Sequence, residues 1–308
     1  MVDAVMADVC VCIPTLNPGP WVDRLVTALS ALSPAPGTIL VIDSSSDDGS
    51  VGRLEAAGAR VERIPRAEFS HGGTRNHALD LCDAQYVVYL TQDAIPVAPD
   101  TVARLVAALR DDERSGMAFG RQLPNPSATA ATRAHRALLY PAESATVTPA
   151  DIDALGIRAS FASNSFSAYR RAALEEIGRF PERIVSHEDR WAAGMLLRHG
   201  WSVRYVAEAQ VEHSHEYSLR QTVRRYFDAG VFEATNSWHR ETFGRPHGYG
   251  RQLVVQQVTA ARADGRMAQA GVVARSAAAL VGHQLGAVHR VLPASVRRRL
   301  TMTPSYFS

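Results

Sequence analysis

Cysteine is scarce in this sequence, and its scarcity excludes two kinds of scaffold. The 308 residues include three cysteines, Cys10, Cys12 and Cys82. Their spacing matches no zinc-binding framework, and an odd, sparse set does not support a disulfide scaffold. Cys10 and Cys12 lie in an apolar run, so we interpret them as small core residues.

Long apolar runs and blocks of like charge are also missing. No run reaches the roughly 18–20 apolar residues that a bilayer-spanning helix needs. The first eight residues lack the basic start and apolar stretch of a signal peptide. A net charge of +2 argues against wholesale nucleic-acid binding, and the absence of low-complexity segments argues against long disorder. We therefore expect a cytoplasmic globular protein that binds no nucleic acid and could touch a membrane surface.

Two phosphate-binding signatures are absent as well. No Gly-x-Gly-x-x-Gly follows the first apolar run, and no Gly-Lys-Ser/Thr loop is present. These absences argue against NAD-dependent enzymes and P-loop NTPases.

The hydrophobic pattern that is present alternates between short buried strands and amphipathic helices. The predicted strands are Val9–Ile13, Thr38–Ile42, Arg60–Ile64 and Tyr86–Leu90. The predicted helices between and after them are Trp21–Leu32, Val51–Ala57, Thr74–Cys82 and Pro99–Arg110. This alternation predicts an α/β fold with a doubly wound parallel sheet.

The second half of the chain has a weaker pattern. We expect loop and short helix over Leu123–Ser160, an extended segment over Phe161–Tyr169, and a strand over Trp201–Val206. Ala172–Ile177 and Arg190–Arg198 are predicted helices, and the pattern is mainly helical from Leu219 onward.

Polar side chains follow the predicted strands where each strand ends. They are Thr15, Asn17, Asp43, Gln92 and Asp93. Ligands of open α/β sheets bind beyond the carboxyl ends of the strands, so these residues should converge on one crevice. Asp43 suits contacts to a base or ribose, and Asp93 suits a hard cation such as Mg²⁺ or Mn²⁺. The alternative is that each aspartate is a turn or helix-capping residue.

Four segments together resemble the family 2 glycosyltransferases. They are Ile13-Pro14-Thr15-Leu16-Asn17, Val41–Ser50, Thr74-Arg75-Asn76 and Leu90-Thr91-Gln92-Asp93, completed by Glu188-Asp189 before a helix. Phe69–Asn76, Thr91–Pro96 and His213-Ser214-His215 are similar to bacterial rhamnosyltransferases of that family. The resemblance covers about residues 8–250. It implies a Rossmann-like GT-A catalytic domain over residues 1–218 and a helical C-terminal region over 219–308.

The resemblance also implies an inverting, metal-dependent transfer from a nucleoside-diphosphate sugar. Thr15, Asn17, Asp43 and Arg75 are then nucleotide-binding residues. The family's metal motif is Asp-x-Asp, and here Thr91 replaces its first aspartate, so Asp93 alone is kept. Fewer protein ligands or weaker metal binding follow, and Gln92 could add a carbonyl or a supporting hydrogen bond.

Asp189 lies where the family keeps its general base. An inverting displacement needs a carboxylate that takes the proton of the attacking hydroxyl. Glu188 is the competing candidate, because only one of two adjacent side chains at a helix start can face the crevice. The alternative is that both merely stabilise the helix N-terminus through its dipole.

Several other residues are candidates near the donor or acceptor. His213 and His215 share one side of an extended segment and suit a metal or diphosphate contact, although a surface or core role is an alternative for each. His71 could touch phosphate or sugar or could fix its loop. Asn164 lies in a segment that the resemblance places near the substrates. Trp191 is expected to pack, with stacking on the acceptor sugar as the alternative.

The C-terminal region is basic. No acidic residue follows Asp264, whereas six arginines do. Interleaved apolar residues make an amphipathic helix on an anionic membrane surface one interpretation. A solvated basic face and a homodimer contact are the others.

Two further functional classes remain as alternatives at this level. A sugar nucleotidyltransferase would need a better phosphate loop than Asn17-Pro18-Gly19-Pro20, and a non-catalytic nucleotide-sugar-binding protein would not need the four residues Asp43, Arg75, Asp93 and Asp189 together. Within the transferases we favour dTDP-L-rhamnose as donor, with a UDP-hexose as the alternative. The acceptor is a bacterial surface polysaccharide or a lipid-linked glycan.

Overall fold

A computed structural model describes residues 6–244 and 249–308. The sequence analysis expects no signal peptide over residues 1–8, and residues 1–5 of that segment lie outside the described residues. The described strands are β1 (Val9–Thr15), β2 (Thr38–Asp43), β3 (Arg60–Arg63), β4 (Tyr86–Leu90), β5 (Ile95–Pro96), β6 (Ser115–Leu123), β7 (Ala145–Val147), β8 (Phe166–Arg170) and β9 (Ser202–Glu212).

The described helices fall between and after these strands. They are α1 (Gly19–Ser30), α2 (Ser50–Ala56), α3 (His71–Leu81), α4 (Thr101–Arg110), α5 (Ala130–Leu139), α6 (Ile152–Leu155), α7 (Arg171–Glu176), α8 (Glu188–Arg198), α9 (Leu219–Thr235), α10 (Ser237–Phe243), α11 (Tyr249–Ala260), α12 (Arg266–Ala287) and α13 (Ala294–Leu300). No helix among the described residues is both long and apolar enough to cross a membrane.

The strands form one sheet in the order β3-β2-β1-β4-β8-β6-β9-β5, with β7 also paired to β9. The first four strands are parallel, as the sequence predicts. The expectation of a parallel sheet is wrong beyond β4, because β8 is antiparallel to both β4 and β6. The sheet is therefore mixed, and β9 returns parallel to β6.

Strand β1 shows why the parallel half lies in the core. Val9, Val11 and Ile13 pack into one hydrophobic cluster, whereas Cys10 and Cys12 pack into a second cluster. A strand covered by helices on both faces is apolar at every position. The cysteines are buried and free, which agrees with their interpretation as core residues.

Strand β6 was not anticipated, because its sequence SGMAFGRQL lacks β-branched residues. Its small residues allow close packing instead. A Cβ at Gly120 would lie 2.5 Å from the carbonyl oxygen of Ala209 and 2.4 Å from the ring of Phe166. Glycine in a strand often marks such a close approach of a neighbouring backbone.

The C-terminal helices pack against one another through glycines. Cβ atoms at Gly282 and Gly286 of α12 would lie 2.3 and 2.0 Å from the carbonyl oxygens of Val223 and Phe227 in α9. Only glycine permits this separation of the two helices. The segment after α13 returns to α9, where Thr301 Oγ1 donates to Asp228 at 2.5 Å.

Candidate active site

The ends of β1 and β2 form the first wall of the site. Thr15 and Asp43 are paired in the sheet, and Thr15 Oγ1 donates to Asp43 Oδ1 at 3.0 Å. The carboxylate also accepts from the backbone N–H and the hydroxyl of Ser46, at 2.8 and 2.5 Å. Asp43 is 1% exposed, and its hydrogen bonds with Ser46 fix the conformation of the loop after β2.

The loop after β1 is tied to both neighbouring strands. Gln92 accepts from the backbone N–H of Leu16 at 2.8 Å and donates to its carbonyl oxygen at 3.2 Å. Asn17 accepts from the backbone N–H of Asp47 at 3.0 Å through its side chain. Asn17 has a φ of 47°, a region that asparagine tolerates better than most residues. In this conformation Gln92 and Asn17 are positioning residues of the loop.

Asp93, His213 and His215 form a cluster that we call the Asp–His–His cluster. Their ligand atoms all lie within 4.8 Å of one another. Asp93 Oδ1 is 3.5 Å from His213 Nδ1, and Asp93 Oδ2 is 3.3 Å from His215 Nε2. His213 and His215 follow β9, and Asp93 lies in the turn after β4. The long-range convergence of these three side chains agrees with the sequence analysis.

The two histidines of the cluster are held neutral. Burial lowers the pKa of His213 to about 4, against the opposing effect of Asp93. Burial also lowers the pKa of His215, and the charges of Arg225 and Arg136 lower it further. Neutral imidazoles are the form that ligates metal ions. The Nε2 atom of His213 lies 3.2 Å from Ser165 Oγ, which leaves Nδ1 on the side of Asp93.

Thr91 occupies the first position of the incomplete metal motif. Its Oγ1 is buried and has no hydrogen-bond partner among the described residues. An unpaired buried hydroxyl is uncommon, because losing water without a new partner is unfavourable. The position therefore keeps a polar atom, but it adds no negative charge beside Asp93.

Arg75 and Glu188 form a buried ion pair. Arg75 Nη1 lies 3.1 Å from Glu188 Oε1, and the two side chains are 5% and 6% exposed. Arg75 also donates to the carbonyl oxygen of His71 at 2.8 Å. Burial opposes ionisation of Glu188, but the charge of Arg75, with smaller contributions from His71 and Asn164, lowers its pKa to about 2.

Asp189 has a different environment from its neighbour. Its carboxylate accepts from the backbone N–H groups of Asn164 and Arg190, at 3.1 and 2.7 Å. Burial and the charge of Glu188 raise its pKa to about 6. A half-buried carboxyl with such a pKa can accept a proton near neutral pH. The two adjacent acids thus differ in partner and in pKa: Glu188 pairs with Arg75, and Asp189 does not take part in that pair.

Asn164 organises this acidic pair. Its side-chain N–H donates to Glu188 at 3.2 Å, and its side-chain oxygen accepts from Ser167 and Tyr169, each at 2.8 Å. It is 1% exposed. The structure therefore brings Asn164 next to Glu188 and Asp189, where it fixes the position of both carboxylates.

The backbone at His187 starts the helix that carries both acids. His187 has a φ of 66° and a ψ of 29°, a left-handed conformation that non-glycine residues seldom adopt. Its ring stacks on Phe232 with centroids 5.4 Å apart. Such backbone outliers persist where the surrounding structure holds them, and they are frequent at functional sites.

Two further predicted candidates have contacts outside the acidic pair. His71, whose carbonyl oxygen accepts from Arg75, also has its Nε2 atom 3.5 Å from Thr303 Oγ1, in the segment that follows α13. Trp191 packs into the core, with its ring centroid 6.3 Å from that of Trp238. The packing of Trp191 agrees with our first interpretation of it.

Sequence analysis missed two arginines beside the Asp–His–His cluster. Arg136 of α5 donates to Gln122 at 2.5 Å, and its Nε is buried without a hydrogen-bond partner in the described part of the chain. Arg225 of α9 lies 5.5 Å from the ring centre of Tyr217, which itself lies 5.2 Å from His215. Neither arginine forms an ion pair with a carboxylate of residues 6–244 or 249–308. They come from separate helices, so no local pattern signalled them.

A solved glycosyltransferase structure has the same fold as this chain. The mannosyltransferase PcManGT from Pyrobaculum calidifontis, solved with GDP-Man and Mn²⁺, superposes with a TM-score of 0.57 at 18% identity, covering 97% of this chain and 84% of that one. At this identity the likeness concerns the fold, which is the GT-A fold of glycosyltransferases.

Sequence comparisons give the family. The family described as Glycosyl transferase family 2 matches residues 10–178. The O-antigen chain rhamnosyltransferase RfbN of Salmonella typhimurium is 35% identical over 96% of this chain and 95% of its own length. WbaN of Salmonella anatum, which has the same description, is 34% identical over 96% and 94%. The chain belongs to glycosyltransferase family 2, and it is a glycosyltransferase.

Proposed function

We propose that this enzyme transfers L-rhamnose from dTDP-L-rhamnose to a sugar hydroxyl of a bacterial surface polysaccharide or of a lipid-linked precursor. The observation that carries the proposal is its identity of 35% with an O-antigen chain rhamnosyltransferase across nearly the full length of both chains. The local environments of Asp189 and of the Asp–His–His cluster support the chemistry that such a transfer needs.

Asp189 is the proposed general base. The acceptor oxygen forms a bond to the anomeric carbon while the bond from that carbon to the leaving diphosphate breaks, and the acceptor proton passes to Asp189. Attack from the face opposite the diphosphate inverts the configuration. A pKa of about 6 leaves Asp189 mostly ionised at neutral pH but still basic enough to accept the proton.

The Asp–His–His cluster is the proposed metal site. One carboxylate and two neutral imidazoles fit a divalent first-row cation such as Mn²⁺ better than Mg²⁺, which prefers oxygen ligands. When bound, such a cation stabilises the negative charge of the leaving diphosphate.

Arg136 and Arg225 are the proposed protein partners of the diphosphate. Both lack a carboxylate partner among the described residues, and the positive charge of both acts on His215. Two like charges held close together are stabilised when an anion binds between them. Their position beside the cluster suits the two phosphates of the donor.

Thr15, Asn17, Asp43 and Arg75 stay predicted nucleotide-binding residues. Asp43 and Arg75 are buried with protein partners, so we propose that they act by shaping the loops on which the nucleotide lies. His71 and Gln92 are proposed to act in the same way, through their contacts with Thr303 and Leu16.

The division into a catalytic domain over 1–218 and a helical region over 219–308 stays a prediction, as does a cytoplasmic location. For the C-terminal region, contact with the inner membrane face, a solvated basic face and a homodimer contact stay alternatives.

The experiment is a donor panel with purified enzyme. dTDP-L-rhamnose, UDP-glucose and GDP-mannose are each incubated with a glycan acceptor and Mn²⁺, and acceptor mass is measured. Calorimetric titration with dTDP and UDP, with and without metal, gives binding separately. Transfer from dTDP-L-rhamnose supports the proposal, transfer from UDP-glucose overturns the donor, and transfer from none of the donors to any bacterial glycan overturns the proposal.

A further inference from the structure

The C-terminal segment forms a basic cavity that shares no residue with the candidate active site. Its volume is about 480 Å³. It is lined by Arg183, His289, Arg290, Arg297 and the last three residues, 306–308. We call it the C-terminal cavity.

Contacts between its residues fix the walls of the C-terminal cavity. Arg183 donates to the carbonyl oxygen of Tyr306 at 3.1 Å. The guanidinium of Arg297 lies 5.4 Å from the ring centre of Phe307, and the ring of His289 lies 6.1 Å from it. His289 is buried and Arg297 and Phe307 are partly buried, whereas Arg183 and Arg290 are exposed. The cavity therefore has a packed wall and an exposed basic rim.

The charge of the cavity is largely uncompensated. None of its three arginines forms an ion pair with an acidic side chain anywhere in the described ranges. Arg297 Nε is buried and has no hydrogen-bond partner there. No acidic residue occurs from Arg266 to Ser308.

Exposed apolar residues flank the charged ones. Val288 and Val291, on either side of His289 and Arg290, are 50% and 81% exposed. Arginines beside exposed apolar side chains suit the boundary between lipid headgroups and acyl chains. A phosphate group offers the acceptor oxygens that unpaired guanidinium groups bind.

We propose that the C-terminal cavity binds a phosphate group, supplied by an anionic lipid headgroup or by free phosphate. The flanking valines favour the lipid. The inference does not depend on the sugar that the enzyme transfers, because it rests on a separate set of residues. Arg183 lies six positions before Asp189, so a bound phosphate would be anchored to the segment that leads into α8.

The test compares two pairs of substitutions on the full chain. Arg290→Gln with Arg297→Gln removes two charges from the cavity. Arg298→Gln with Arg299→Gln removes two exposed charges from α13, the helix that carries Arg297, at positions that do not line the cavity. Inorganic phosphate is titrated by calorimetry, and flotation measures binding to phosphatidylcholine vesicles with and without phosphatidylglycerol. Thermal unfolding checks each fold, and Arg290→Gln alone serves if loss of Arg297 disturbs Phe307.

The variant with Arg290→Gln and Arg297→Gln should lose at least tenfold in affinity for whichever probe the wild-type protein binds, since each arginine near a lipid surface contributes roughly fivefold. The variant with Arg298→Gln and Arg299→Gln should lose clearly less affinity for the same probe. Phosphate binding without vesicles would identify free phosphate as a sufficient ligand, and binding only to phosphatidylglycerol vesicles would identify the headgroup. Equal losses in both pairs would overturn the proposal in favour of diffuse charge, and so would the absence of binding to either probe.

Discussion

The guanidinium of Arg75 lies 3.1 Å from the carboxylate of Glu188, and both side chains are buried. The pair joins α3 to the first turn of α8, where Asp189 follows. It therefore distinguishes two adjacent acids, because Glu188 forms this ion pair and Asp189 does not take part in it. A buried charge that loses its partner destabilises a protein far more than a surface charge does, and this difference can be measured.

Glu188→Gln should lower the free energy of unfolding by about 3–5 kcal/mol, because Arg75 then stays buried without a counter-ion. Urea denaturation measures the change. The matched acid-to-amide control is Asp47→Asn, which removes an exposed ion pair with Arg66 and should cost less than about 1 kcal/mol. Because the pKa of Glu188 is lowered in the folded state, its contribution is present above about pH 4.5 and is lost as the pH falls towards 2. Equal effects of the two substitutions would contradict this account.

Asp189→Asn should reduce kcat by about 10²–10⁴-fold while the protein stays folded. The pKa of Asp189 is raised in the folded state, so its charge opposes folding above about pH 4 and the amide should not lower stability at pH 7. The wild-type rate should rise with pH, with a midpoint near 6, because the base must be deprotonated. The dependence of kcat on pH tests the first expectation, and thermal unfolding tests the second. An Asp189→Asn variant with the kcat of the wild type would show that Asp189 is not the general base.

His215→Ala should weaken the metal-dependent part of nucleotide binding by at least tenfold, because one of three ligand atoms is removed. Titrating Mn²⁺ at fixed dTDP measures the change. His199→Ala is the control, since His199 forms a surface pair with Glu176 at 3.7 Å and lies outside the Asp–His–His cluster. An unchanged metal response in the His215 variant would place the metal elsewhere.

Arg225→Gln should weaken binding of dTDP by roughly tenfold or more and leave thymidine binding unchanged, since the proposed contact is to phosphate and a charge-assisted hydrogen bond contributes about 1.5–3 kcal/mol. Calorimetry with both ligands measures the difference. Arg220→Gln removes the same charge from an exposed position of the same helix and should leave dTDP binding nearly unchanged. If both variants lose the same affinity for dTDP, long-range charge rather than a direct contact of Arg225 explains the effect.

Gly286→Ala and Gly271→Ala should change stability in opposite directions, although both lie in α12. A Cβ at Gly286 would lie 2.0 Å from the carbonyl oxygen of Phe227, so the helices must separate. A Cβ at Gly271 would have only Arg275 nearby, at 3.5 Å, and should add about 0.5–1 kcal/mol of helix stability. Denaturant midpoints measure both, and a neutral Gly286→Ala would contradict the close packing.

The strand ends of the parallel half could be predicted from sequence, because buried strands are nearly continuous apolar runs. The convergence of Asp93 with His213 and His215 followed from the resemblance and from the rule that ligands bind at strand ends. The sequence predicts an extended segment at β8 but not its antiparallel direction, because strand direction depends on tertiary contacts. The glycine-bearing β6 was not identified, since its sequence has no β-branched residue. Topology in that half depends on tertiary packing.

Other parts of the site depend on contacts that a sequence does not show. Asp189 could be preferred over Glu188 only by analogy, whereas the structure supplies a physical reason in the partner of Glu188. Arg136 and Arg225 are 89 positions apart in the sequence, yet the charges of both act on His215. Local pattern cannot identify such a pair.

The glycine contacts between α9 and α12 have a consequence for how the role of the C-terminal region can be dissected. Removing α12 would uncover the face of α9 on which Gly230 meets His283, and the same helix α9 carries Phe232, the stacking partner of His187. Loss of activity in a truncated enzyme could therefore result from disrupted packing around α9 as well as from loss of a ligand site. Point substitutions that keep the chain length, rather than nested deletions, are the means of assigning function to this region.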